Sequence, residues 1–132
     1  MAWIVEITCA GWHRTVRESS DAAARARVER VIERYGYRGR ITRNSDTVIM
    51  AYKGGDVVTL LIRPEVAGEP VTKSLDEHLA EIVVIQRRGL ITREEYIMRV
   101  ADAFSDATMM GDEIPATRKA MLQELIQQLS PR

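Results

Sequence analysis

From Trp3 to Cys9 apolar and polar positions alternate, with Trp3, Val5, Ile7 and Cys9 on one side and Glu6 and Thr8 on the other. A period of two predicts a strand with one buried face. Gly11, Trp12 and His13 read as a loop after it. The period then changes. Ser20 or Asp21 supplies an N-cap, and a helix runs to Tyr35, closed by Gly36. At about 100° per residue Ala24, Val28, Val31, Ile32 and Tyr35 fall on one stripe, which should pack on the sheet.

Three short strands are expected next, over 38–43, 47–52 and 57–63. Asn44-Ser45-Asp46 and Gly54-Gly55-Asp56 separate them with residues that suit tight turns. Val57 to Ile62 is apolar on both faces, which predicts a central strand covered on both sides, and Pro64 stops it. The segment 64–73, with Pro64, Gly68 and Pro70, reads as a connecting loop.

Beyond it the pattern is helical. Ser74-Leu75-Asp76-Glu77 and Thr92-Arg93-Glu94-Glu95 both match the capping box, in which a hydroxyl and a carboxylate three residues on satisfy free backbone N–H groups. Gly89 separates the two helices, and Gly111 caps the second. Pro115 stands where a first helical residue is expected, before a last helix carrying Met121, Leu122, Leu125, Ile126 and Leu129. Ile82-Val83-Val84-Ile85 is β-branched throughout, yet the capping box before it and Gly89 after it favour helix. As a helix it is apolar on more than one side and needs two partners.

The fold class is therefore α+β: a small antiparallel sheet of three or four strands in β-α-β-β-β order with one packed helix, followed by about three C-terminal helices. At 132 residues the chain is the size of one domain, with a basic half at 1–63, the loop at 64–73 and an acidic helical half at 74–130. Lys/Arg outnumber Asp/Glu by 11 to 7 up to Arg63 and are outnumbered 8 to 12 afterwards, so a net charge of zero conceals a division. A single cysteine excludes an internal disulfide, and with no membrane span or signal segment in the pattern the expected location is cytoplasmic.

The arginines are the first candidate site. Relative to Arg25, Arg27, Arg30 and Arg34 project at roughly 200°, 140° and 180°, away from the buried stripe. Arg38, Arg40 and Arg43 follow on the next strand. Such a face could bind phosphates through bidentate guanidinium contacts, or be a solvated face paired with Asp21, Glu29 and Glu33. The second candidate is apolar: Trp12, Val84, Ile85, Met109 and Met110 are adaptable anchors for a contact surface.

Catalytic readings are thin. Cys9 and His13 are four residues apart, but Cys9 continues a buried face and no nucleophile turn accompanies it. One cysteine, His13 and His78 make no metal-ligand pattern. Gly54-Gly55-Asp56 lacks the Lys-Ser/Thr of a phosphate loop. The sequence thus points to a non-enzymatic interaction module without cofactor, binding another protein and expected to be a homodimer. A nucleic-acid-binding regulator using the arginines is the alternative.

Overall fold

The computed structural model describes residues 2–52 and 55–129, and the side chains of all of these except 37–39 and 52. Gly54 of the proposed glycine turn, and the side chain of Arg38, lie outside the described residues. The elements are β1 (Trp3–Cys9), β2 (Trp12–Glu18), α1 (Asp21–Tyr35), β3 (Gly36–Asn44), β4 (Thr47–Tyr52), β5 (Val57–Pro64), α2 (Leu75–Arg87), α3 (Arg93–Met109) and α4 (Ala116–Gln127). The chain divides into two compact units, residues up to Thr72 with Met109–Gly111, and the remainder from Lys73.

In the first unit a mixed α+β arrangement holds an antiparallel sheet and one packed helix, as the pattern implies. The sheet has five strands in the order β2-β1-β5-β4-β3, one more than the sequence reading allows. The additional strand is β2, because the residues assigned to a loop at Trp12 and His13 already pair with β1. Cys9 faces Trp12 across a two-residue turn, Ala10-Gly11, with Gly11 at φ +74°. Strand β2 escaped the periodicity test because it is an edge strand. Its core-facing positions are Trp12, Arg14, Val16 and Glu18, so only every second one is apolar. An X-Gly pair two residues after a strand was the available signal.

Strand β5 is central, as its apolar run suggests: it pairs with β1 on one side and β4 on the other. Its burial still alternates. Val58, Leu60 and Ile62 are at most 5% exposed and pack with α1, whereas Val57 on the opposite face is 61% exposed. The expected two-sided cover is therefore incomplete at Val57. Burying each of these aliphatic side chains is worth about 1.5–3 kcal/mol, so this row anchors the sheet.

Helix α1 begins where Ser20 accepts from the Ala23 N–H, and its buried stripe is Ala24, Val28, Val31 and Ile32, with Tyr35 half-buried beside it. Gly36 ends it with φ −81° and passes straight into β3. A Cβ at position 36 would sit 2.8 Å from the Ile32 carbonyl oxygen and 3.1 Å from the Met50 sulfur, so the turn from helix to strand needs a residue without one. Asn44 is the last residue of β3 and pairs with Thr47, leaving Ser45-Asp46 as the turn.

The second unit is built of α2, α3 and α4 around Leu75, Ile82, Val100, Ala103, Phe104 and Ala107. Both capping boxes form. Glu77 N–H donates to Ser74 Oγ at 3.2 Å, and Glu95 N–H to Thr92 Oγ1 at 3.1 Å, each with the reciprocal bond. The Ser74 backbone and hydroxyl hold the Glu77 carboxyl below its usual range. Residues 82–85 are helical, within α2. Pro115 occupies the N-cap of α4 and not its first turn. Among the described residues no helix is long and apolar enough to cross a membrane.

Candidate functional site

The arginines of α1 and β3 do not share one solvent face. Arg27 Nε donates to Glu18 at 2.6 Å and Nη1 to the Met110 carbonyl at 2.8 Å, with only 11% of its side chain exposed. Arg30 Nε donates to the Gly111 carbonyl at 2.6 Å. Both side chains clasp the Met109–Gly111 segment of their own unit. The outward placement expected of Arg27 is therefore corrected, and the physical reason lies in the helix itself. Arg27 and the buried Val31 are four residues apart, about 40° on a helical wheel, so Arg27 borders the buried stripe. Arg34 is half-buried, Arg40 is exposed, and Arg43 reaches across to Glu29 with both terminal nitrogens, at 2.6 and 3.1 Å. The pairing of Arg43 lowers the Glu29 carboxyl and raises the guanidinium. Arg25, at the start of the same helix, is bound to Asp21, Asp46 and the Ser45 carbonyl.

Strand parity separates Cys9 from His13. Cys9 is half-buried with Trp3, Val5 and Ile7 on the face that α1 covers, while His13 pairs with Thr8 and projects from the other face. A nucleophile and base on opposite sides of a sheet cannot exchange a proton directly. His13 has an acidic neighbour that linear spacing does not reveal: Nε2 lies 3.2 Å from Glu6 Oε1, brought near by the β1–β2 register.

That contact is the edge of a network the sequence reading missed. Arg63 of β5 donates through Nε to Glu6 at 2.6 Å and through both terminal nitrogens to Glu69 at 2.7 Å. Arg17 of β2 grips Glu65 at 2.7 and 2.9 Å and the Glu69 carbonyl at 3.0 Å. Thr72 completes the attachment, donating its N–H to the Thr15 carbonyl at 2.9 Å and accepting from the Thr15 N–H at 3.0 Å. The segment after β5, read as a plain connector, is thus a strap tied to the sheet. It also satisfies backbone groups on the outer edge of β2, which would otherwise offer a template for strand addition. The pattern Arg-Pro-Glu at 63–65 was the one linear hint, and spacing gave no reason to connect it with Arg17.

The apolar candidates divide. Met110 is 3% exposed and belongs to the core beside α1, so its assignment to a contact surface is corrected. It is held there by the arginine clasp and by Gly111, whose φ of +86° turns the chain against Arg27. Trp12 is half-buried against the same core and lies under the Arg14 guanidinium, 4.6 Å from the ring centre, so it too is no free loop anchor. Met109 and Ile85 are half-buried, and Val84 is exposed.

Larger apolar exposure lies elsewhere in the helical unit. Leu90 and Met98 are 68% and 59% exposed, α4 presents Met121 and Ile126 at its surface, and Leu129 follows just past its end. On α4 the four residues Met121, Leu125, Leu122 and Ile126 span an arc of about 140°. Leu122 and Leu125, in the middle of the stripe, touch the core of the unit, yet not one residue of α4 is buried. The flanks of the stripe, Met121 and Ile126, are 45% and 38% exposed. Among the described residues no group of three His, Cys, Asp or Glu side chains is placed to hold a metal ion. No family model, no curated protein and no solved structure matches this chain.

Proposed function

We propose that the protein is a non-enzymatic interaction module that self-associates through its helical unit, with α4 at the contact. One observation carries this reading: α4 buries none of its residues and leaves Met121 and Ile126 45% and 38% exposed on either side of Leu122 and Leu125, with Leu129, 36% exposed, just past its end. Met and Leu side chains adapt to an opposing surface, and a helix face of this kind is commonly closed by another helix. Val84 on α2 adds a further exposed aliphatic side chain to the same unit. The engagement of Arg27, Arg30 and Arg43 with partners in their own unit supports a protein partner over a nucleic acid.

Light scattering across a concentration series tests the reading. A mass above that of one chain is expected, falling to one chain in the double variant Met121→Glu/Leu129→Glu, with helix content by circular dichroism preserved. A single-chain mass at every concentration overturns self-association, and an assembly that survives the double variant removes α4 from the contact.

A further inference from the structure

A cleft of about 210 Å3 opens in the first unit between α1 and the β3–β4 hairpin. Its floor is aliphatic: Val28, Val48, Leu60 and Ile62, all buried residues of α1, β4 and β5. Its rim is two ion pairs. Arg43 of β3 reaches up to Glu29 of α1, and Arg25 of α1 reaches down to Asp46 and the Ser45 carbonyl in the turn.

Size limits the occupant. Sites for drug-sized ligands run to roughly 300–1,000 Å3, while an apolar cavity of about 150 Å3 already accepts a benzene-sized molecule. A handful of carbon atoms fits here, with a polar end at the rim. The rim selects the kind of polar end. Arg43 already receives one carboxylate, in the two-nitrogen geometry that suits it, and both partners are half exposed at 52% and 56%. Ion pairs this exposed hold weakly and exchange readily for another of the same kind. Arg25 is shared among two carboxylates and a carbonyl, which leaves Arg43 as the receptor. The charged lining is balanced, Arg25 and Arg43 against Glu29 and Asp46, so an anion enters by displacing Glu29 from Arg43 and not by adding to the pair.

We infer that this cleft binds a small aliphatic carboxylate, its hydrocarbon chain on Val28, Val48, Leu60 and Ile62 and its carboxylate taken by Arg43 in place of Glu29. The inference is independent of how the helical unit is used.

The test is a titration of the full chain, methyl-labelled, with hexanoate, hexanol and hexylamine followed by NMR. Hexanoate is expected to shift the methyl signals of Val28, Val48, Leu60 and Ile62 saturably at millimolar concentration. Arg43→Gln should weaken it about ten-fold, the loss expected for a charged hydrogen-bonded contact, and leave hexanol unchanged. Arg43→Lys keeps the charge but not the fork, and a several-fold weakening is expected from it even if Arg43→Gln fails to fold. No saturable shift at these methyls overturns the site. Hexanol or hexylamine binding as tightly as hexanoate overturns the ligand class, and unchanged affinity in the arginine variants overturns the role of Arg43.

Discussion

Arg27 and Glu18 meet at 2.6 Å, joining the middle of α1 to the last residue of β2, with 11% and 17% of their side chains exposed. The same guanidinium donates to the Met110 carbonyl, so one side chain links an edge strand, a helix and the Met109–Gly111 segment. Pairs this sheltered differ from surface pairs because removing one partner strands the other away from water.

Replacing Arg27 should therefore destabilise the protein far more than replacing an exposed arginine nearby. Arg27→Ala is expected to cost about 2–4 kcal/mol in urea unfolding, by loss of a charged hydrogen bond and desolvation of Glu18. Arg40→Ala, at an exposed position, should stay within about 0.5 kcal/mol. Equal effects for the two would contradict the structural role assigned to Arg27.

Gly111 separates backbone strain from packing. Both Gly111 and Gly89 have positive φ, +86° and +70°, and any side chain there costs about 1–2 kcal/mol. A Cβ at Gly89 meets nothing within 4 Å, but at Gly111 it would lie 2.8 Å from Arg27 Cγ and 2.9 Å from both the Arg27 carbonyl oxygen and a Val31 methyl. Gly89→Ala should show the conformational cost alone. Gly111→Ala is expected to lose roughly a further 1–3 kcal/mol, the range for overpacking a close contact. The comparison is read from paired urea melts, and a Gly111 variant no worse than the Gly89 one would mean the segment is not seated against α1.

The strap after β5 gives the protein an acid limb. Arg63 holds the Glu69 carboxyl at about 2 against an ordinary value of 4.5, helped by the Val66 N–H. Arg63 lowers Glu6 as well, with His13 contributing, and Arg43 lowers Glu29. Because the folded state lowers these values, the stability they supply is fully present above the unfolded value and is lost as pH falls through the folded one. The melting temperature should be level from about pH 7 to 5 as far as these groups decide it, then fall between about pH 5 and 2. Glu69→Gln should lower it by a few degrees at neutral pH and make the acid limb shallower. An unaltered limb in that variant would show that the strap pair adds no stability.

Much of this architecture was legible one segment at a time. Trp3–Cys9 alternates because a strand exposes its two faces in turn, and β1 occupies that span. Ser74 and Thr92 precede glutamates at the spacing that caps a helix, and α2 and α3 start there. Those signals depend on residues within one turn or one strand, which the linear order preserves. The placement of Arg27 and the Trp12 loop were misread for the opposite reason. Whether Arg27 faces solvent depends on what lies beside α1, and whether Trp12 belongs to a strand depends on a partner that supplies its hydrogen bonds.

The sequence by itself determined the element types, the helix starts and the apolar faces, since these follow from backbone geometry and a repeat of two or about 3.6 residues. Only the tertiary structure decided that β5 enters between β1 and β4, and that Arg17 and Arg63 tie down the strap carrying Glu65 and Glu69. It likewise decided that Cys9 and His13 point apart, that Met110 belongs to a core and that α4 buries none of its residues. Each of these rests on contacts between residues far apart in the chain, where the choice of partner is made by burial and hydrogen bonding in three dimensions and leaves no local period to read.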